Sequence, residues 1–496
     1  MSARKTLGIL VISLVLSGCG VLVRSVSLGF DGIRTSSLFV QGKRGNLTEK
    51  EIAWAKIAWR YFKNNTNVES GAVNSIDAYP SFTMSTVADY IAAMISARKL
   101  GIIEKKEFDH RVSSLLHFLN TMELFQGRLP NKIYHAKNST MTTYDGSHGE
   151  IGWSAIDIGR LLIWLKILSI QYVEFHEYVD KAVMRWNFCD VIDEEGSLYA
   201  GDLHNGDLRI FQEGRLGYEE YAAIGFRAWG FEPTKAEELD PVELITIYDI
   251  DIYHDARDHR DDSVLSPVLT LPFALMGLEF NWDVISDDLS SDAVRTNNLM
   301  ADVSDRVYRV QEKRYEEEKI YTARTEHVLS ESPFFVYDTI FANGYSWNTI
   351  AEDSKIYPDK AIVATKAVFP MFVLWDTAYT NKLMLVIEEL YDEKLGWYEG
   401  RYERTGGYED VISASTNAIV MESLWYKVNG KLFSNTNDTL HGVIRMEDVF
   451  KHPGKCFPSL YKNTIPSSEA DTEPAVMSAP EDVSGNVKNL EKVLNE

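Results

Sequence analysis

Two blocks of this sequence hold carboxylates, aromatic rings and glycines close enough together to do chemistry. One is Thr143-Tyr144-Asp145-Gly146-Ser147-His148-Gly149-Glu150-Ile151-Gly152-Trp153-Ser154-Ala155-Ile156-Asp157, and the other is Phe211-Gln212-Glu213-Gly214-Arg215-Leu216-Gly217-Tyr218-Glu219-Glu220-Tyr221. Both set acids at or just before a helix start, where free backbone amides and the helix dipole favour negative charge. On one reading Asp145, Glu150, Glu213 and Glu219 are caps and loop braces, each contributing about 1 kcal/mol. On the other, several loops bring these acids together over a pocket lined by Tyr144, Trp153, Tyr218 and Tyr221, with Arg215 beside it. Carbohydrate hydrolysis needs that combination: one acid to protonate the leaving oxygen, one base to activate water, and aromatic faces for the sugar rings.

Asp157 carries more information than its neighbours. It interrupts the apolar run Ile156, Ile158, Leu161, Leu162, where an unpaired charge is costly; the plainer alternative pairs it with Arg160 on an exposed stripe. Glu220 is similar, lying among Tyr218, Tyr221, Ala222 and Ala223. In a third block Trp397, Tyr398 and Glu399 suit a sugar platform and equally suit a packed loop. Asp249 to Asp262 is rich in His and Asp, but its spacing is not that of a calcium loop and it reads as a solvated acidic loop. Nothing calls for a metal or cofactor, and there is no phosphate-binding glycine loop, dinucleotide fingerprint, zincin motif or nucleophile elbow.

The elements that must position these residues are helices. Apolar residues recur at spacings of three and four over Thr48 to Phe62, Ser85 to Leu100, Lys105 to Leu119, Ser154 to Ser169, Glu174 to Trp186, Tyr218 to Trp229, Leu269 to Leu278, Ser291 to Glu318, Ala361 to Trp375, Thr380 to Tyr391 and Ser413 to Val428. Repeated helix pairs predict an all-α fold, an array of helical hairpins closed into a toroid. Loops of shared aromatic and glycine character, at Tyr79, Tyr144, Arg215 and Arg404, should lie on one face. The extended runs Phe334 to Tyr337 and Gly196 to Ala200 predict minor β-hairpins in that loop layer.

At the two acidic blocks the chain resembles a bacterial family called domain of unknown function 3131, over about Leu47 to about Tyr461. More distantly, Gly152-Trp153-Ser154-Ala155-Ile156-Asp157 is similar to the helix start of glucoamylase-like glycosidases, a group that includes β-1,2-glucanases. Tyr218-Glu219-Glu220 is similar to that group's aromatic-x-Glu motif. The resemblance implies an (α/α)6 toroid with its site at the mouth, Glu220 as general acid, and Glu150 and Asp157 as base or sugar-binding candidates. Tyr221 departs from the small residue usual after the Glu, which leaves a second reading open: a non-catalytic protein that binds glycan or an envelope protein on the same fold.

Residues 1–18 have the regions of a secretory signal: Arg4 and Lys5, an apolar run from Leu7 to Leu16, and Ser17-Gly18. Leu16-Ser17-Gly18-Cys19 resembles the bacterial lipobox, which implies lipid on Cys19, a tether over 19–46, and an exported protein anchored in the cell envelope. Gly20 favours the outer membrane, facing the periplasm. The domain is expected over 47–461, followed by a disordered acidic tail over 462–496 that has no aromatic residue from Pro466 onward. A net charge of −23 argues against nucleic acid, which is bound through clustered Lys and Arg, and leaves a polysaccharide or oligosaccharide as the expected partner. Cys189 and Cys456 could form one disulfide, although their spacing is no evidence for it.

Overall fold

The sequence marks several helix starts by their caps. Thr48 and Glu51 close a capping box on α1 (Glu49–Asn65), Thr83 and Thr86 close one on α2 (Met84–Lys99), and Ser154 accepts from the amide of Asp157 on α4 (Ala155–Gln171). Such caps satisfy amides that a first turn leaves without partners. Between and after these come α3 (Lys105–Thr121), α5 (His176–Met184), α6 (Tyr218–Ala228), a short α7 (Thr234–Glu237), α8 (Leu271–Phe280), α9 (Asn298–Glu318), α10 (Thr365–Leu374), α11 (Ala378–Ile387) and α12 (Ala414–Asn429). The computed structural model describes residues 42–239, 241–257, 265–282, 298–433 and 456–457. The leader with Cys19, the tail over 462–496 and the Asp258 to Asp262 run lie outside the described residues.

Six helices are buried over most of their length, as expected of helices apolar nearly all round. They touch in the order α2, α4, α6, α8, α10, α12, and α12 returns to α2. The other six pack outside them: α3 on α2, α5 on α4, α7 on α6, α9 on α8, α11 on α10, and α1 on α12. The closest approach is between α4 and α6, where a Cβ on Gly225 would stand 2.1 Å from the carbonyl oxygen of Gly159. Only glycine permits it.

All six inner helices point the same way. Their first turns meet at one end, where Ser85 of α2 bonds Asp157 of α4 and Ile76, ahead of α2, bridges to Ser413 at the start of α12. Their last turns meet at the other, where the amide of Leu432 donates to the carbonyl of Leu278 and Gln171 donates to the carbonyl of Leu432. Lys43 and Gly45 bond Val373 and Lys427 at this far end, so the described part of the expected tether leaves the fold on the side away from the helix starts.

The β content exceeds the minor hairpins expected. One sheet joins Gly152–Trp153, Tyr199–His204 and Asp207–Gln212; a second joins Glu326–Val328, Phe335–Asp338 and Thr349–Ile350; a third builds Ile362–Ala364, Tyr391–Asp392 and Tyr408–Ile412 around Gly396–Tyr402. The run from Ala361 to Trp375, expected as one helix, is therefore divided. Ile362 and Val363 are β-branched, and they pair with Tyr402 and Arg401, so α10 begins only at Thr365. All three sheets lie at the helix-start end.

Cys189 and Cys456 form a disulfide across 267 residues, and Phe457 packs against Phe188 and Phe231. Closing so long a loop restricts the unfolded chain by up to about 5 kcal/mol in the chain-entropy account. Thermal unfolding of Cys189→Ser should give a lower midpoint than the oxidised protein. Reductant should lower the wild type to that same midpoint and leave the variant where it is.

Candidate active site

Free amides at the start of α4 draw a carboxylate from elsewhere in the chain. Glu213, just beyond the strand Asp207–Gln212, lays Oε2 over that end, accepting from the Oγ of Ser154 and the amide of Ile156, each at 3.1 Å, and from the amide of Ala155. Burial nonetheless pushes its carboxyl up to about 7, assisted by neighbouring Asp157 and opposed by the Ile156 amide and Lys132. Glu213 thus holds a proton into the neutral range where an ordinary glutamate has lost it.

Asp157 sits one turn into the same helix and accepts from the Oγ of Ser85 at 2.7 Å. Burial raises its carboxyl, and hydrogen bonds from Ser85 and Thr83 oppose the rise. Beside these two acids Lys132 is ion-paired with Asp202 and also faces Tyr144 and Glu213.

The facing wall comes from α6, α10 and the second sheet. Burial and then the nearby charge of Glu326 hold the hydroxyl of Tyr218 well above its ordinary value, and Lys366, in the first turn of α10, is ion-paired to Glu326 at 3.4 Å. Glu326 stands opposite Tyr337 in the antiparallel register, so the two side chains share a face. Tyr337 in turn faces Glu213 and Glu352, and Glu352 and Asp157 both face Tyr144. Asp157, Glu213, Tyr218 and Tyr337 lie deep enough for burial to shift each of them, yet each keeps solvent-accessible surface. That combination describes the floor and walls of a recess.

Several residues expected at the site lie elsewhere. Glu220 is buried, with Oε2 accepting from the amide of Gly217 at 2.6 Å. Its carboxyl is pushed up to about 8, chiefly by burial and then by Glu219, with Asp255 adding to the rise. Glu219, pushed up to about 7 by burial, joins a side network with Gln212 and Arg257, and Arg215 bonds Gln212 and Gly214 there. Glu150 accepts from the amide of Gln126 at 2.8 Å and braces a loop. Asp145 is exposed and held at about 2 by Thr143 and Ser147, a local turn.

The two tryptophans are corrected outright. Trp153 and Trp397 are both fully buried and donate to the carbonyls of Tyr199 and Trp54; neither has a face free for a sugar. Glu399 is buried as well, accepting from Ser413 and Thr416, both at 2.5 Å, at the start of α12. It supports the end of the helix.

Lys132, Asp202, Glu326, Tyr337 and Lys366 stand at the recess although no motif groups them in the sequence. Lys366 carries the same signal as Asp157, a single charge inside an apolar run, and Tyr337 lay in a run already read as extended. Below the recess, Arg160 takes a different partner from the Asp157 suggested for it. It bonds Asp89 at 2.7 Å, Tyr221 at 2.6 Å, Glu422 at 3.1 Å and Glu279 at 3.2 Å, joining five of the six inner helices.

Comparisons with known proteins agree with this architecture. The family described as protein of unknown function (DUF3131) matches residues 53–430. A glucoamylase-like protein of Bacteroides fragilis superposes with a TM-score of 0.57 at 12% identity, covering 81% of this chain and 97% of that one. An endo-β-1,2-glucanase of Chitinophaga pinensis, solved with sophorotriose and glucose, gives 0.56 at 10% identity over 81% and 98%. The endo-β-1,2-glucanase of Talaromyces funiculosus, solved with sophorose, gives 0.52 at 13% identity over 81% and 87%. At these identities the likeness is one of fold. Curated protein sequences contain no match to the chain.

Proposed function

Since the chain belongs to the DUF3131 family, whose function is unknown, its role must be read from its own recess, and we propose that it hydrolyses a polysaccharide by carboxylate acid/base catalysis. One observation carries the reading. Glu213 is a carboxyl protonated up to about pH 7, with Asp157 beside it and accessible surface in a recess walled by Tyr218 and Tyr337. A general acid for a glycosidic oxygen has to be such a group. We read the ring of inner helices as an (α/α)6 toroid with the recess at its mouth. The glucanases that share the fold make β-1,2-glucan the first substrate to try.

The proton donor is thereby moved from Glu220 to Glu213. Both carboxyls are raised, but the one on Glu220 serves its own helix start. On a panel of β-1,2-, β-1,3- and β-1,4-glucans and bacterial exopolysaccharides, reducing ends should accumulate with wild type on at least one polymer and not with Glu213→Gln. Glu220→Gln, whose amide oxygen can still accept from Gly217, should stay within about threefold of wild type in turnover; a loss as large as that of Glu213→Gln would return the acid to Glu220.

We further propose export and lipidation at Cys19. The signal-like leader, the lipobox resemblance and the Cys189–Cys456 disulfide support this, since disulfides persist in oxidising compartments. Residues 43–45 on the far face would leave the mouth free of the membrane. Radiolabelled palmitate incorporation, lost in Cys19→Ser, tests it. The second reading, glycan binding without cleavage, rests on Tyr221, whose hydroxyl bonds Glu279 where the glycosidases carry a small residue. It predicts retention on a polymer column and no reducing ends.

A further inference from the structure

We propose that Glu326 is the second working carboxylate, the base that activates water opposite Glu213, and that Lys366 and Tyr218 are its positioning residues. The inference rests on the hydrolytic reading above and adds a residue and a stereochemical outcome to it. Glu213 and Asp157 belong to one helix end, shoulder to shoulder, which leaves no separate face from which a base could direct water. Glu326 comes instead from a β-strand on the facing wall. It is nine-tenths buried, yet its side chain projects on the same face of the sheet as Tyr337, and Tyr337 is the residue that also faces Glu213. Both carboxylates therefore act on one tyrosine, Glu326 as its cross-strand neighbour and Glu213 from the start of α4, and the proposal sets them on opposite sides of the sugar.

Two groups contact Glu326, the ammonium of Lys366 at 3.4 Å and the hydroxyl of Thr325 at 2.6 Å, and Tyr218 lies near enough for the charge of Glu326 to raise its hydroxyl. A buried lysine beside a buried glutamate is costly to maintain, and Lys366 has no other ion pair among those of the described residues. Its position in the first turn of α10 aims the pair at the mouth. The step balances without any further reactant. Glu213 gives its proton to the glycosidic oxygen as the bond from that oxygen to the anomeric carbon breaks. Water bonds the anomeric carbon from the opposite face, and its proton passes to Glu326. Carboxylates on opposite sides of the sugar, with water between, give inversion, for which a separation of roughly 6.5–9.5 Å is usual.

The test uses the full chain on the same polymer panel. Glu326→Ala should lower kcat by about 10²–10⁴-fold with KM within about threefold. Sodium azide should restore chain cleavage to Glu326→Ala, read as shortening of the polymer with a glycosyl azide in place of a reducing end, because an anionic nucleophile has no proton to lose, and should not restore Glu213→Ala. The first sugar released by wild type, followed by NMR, should have the anomeric configuration opposite to that of the polymer. Since Glu326→Ala leaves Lys366 buried without its partner, the double variant Glu326→Gln/Lys366→Met is run beside it and should unfold near the wild-type temperature while remaining inactive. Wild-type turnover in both Glu326 variants, or retention of configuration, overturns this assignment while leaving hydrolysis through Glu213 intact. No turnover by wild type on any polymer overturns both.

Discussion

Glu213→Gln is expected to cost about three orders of magnitude in turnover, within the range for a lost general acid, and to do so with little change in fold. The amide oxygen of glutamine can still accept from Ser154 and from the amides of Ala155 and Ile156, so the start of α4 stays capped; what disappears is the transferable proton. The pH dependence makes the test sharper. A general acid works only while protonated, and burial holds Glu213 protonated up to about pH 7. Wild-type turnover should therefore be present below about pH 7 and fall as pH rises through it, tenfold per unit once the group is mostly ionised. Lys132→Met removes a cation that opposes the rise in both Glu213 and Asp157, so its alkaline limb should move to higher pH. An alkaline limb that stays in place in Lys132→Met would count against Glu213 as the titrating group.

The second large effect is on stability. Arg160→Met should destabilise the protein by about 3–5 kcal/mol, the usual result of removing one partner from a buried charge cluster. Arg160 lies among Asp89, Glu279, Glu422 and the hydroxyl of Tyr221, three carboxylates for one cation. Burial pushes Glu279 up to about 7 and holds Glu422 well above its ordinary value, and Arg160 is the largest influence lowering both. A carboxyl whose folded pKa is raised contributes stability that is fully present below its unfolded value, near 4.5, and is lost as pH rises through the folded value. For Glu279 that window runs from about 4.5 to about 7. Without Arg160 these carboxyls rise further, so the deficit should be largest at pH 8 and smaller at pH 5. Urea unfolding at the two pH values measures it, and equal deficits would mean that lost packing, not charge, is responsible.

Much of this was legible in the chain. Eleven helical stretches follow from apolar spacing and caps such as Thr48 with Glu51, because a helix start is a local arrangement of a few residues. Asp157 could be singled out because a charge inside an apolar run needs an explanation wherever the run packs. Other readings failed for equally definite reasons. Trp153 and Trp397 have the composition of a sugar platform, but an indole beside a glutamate looks the same in sequence whether its face meets solvent or, as with Trp397, meets Trp54 and Phe369. Glu220 matches a motif and Glu213 does not, but a motif does not say whether a carboxylate turns back to its own helix, as Glu220 does to Gly217, or reaches out to another, as Glu213 does to α4.

By itself, then, the sequence determined the helices, their pairing, the acidic character and the two blocks that hold Asp157 and Glu213. All of these depend on residues a few positions apart. Only the tertiary structure decided which acids are buried and what lies beside them. Glu326 and Lys366 are separated from Glu213 by more than a hundred residues and are brought to the recess by strand register and by the closing of the helix ring. The raised pKa of Glu213 is a property of burial, which no spacing along the chain records.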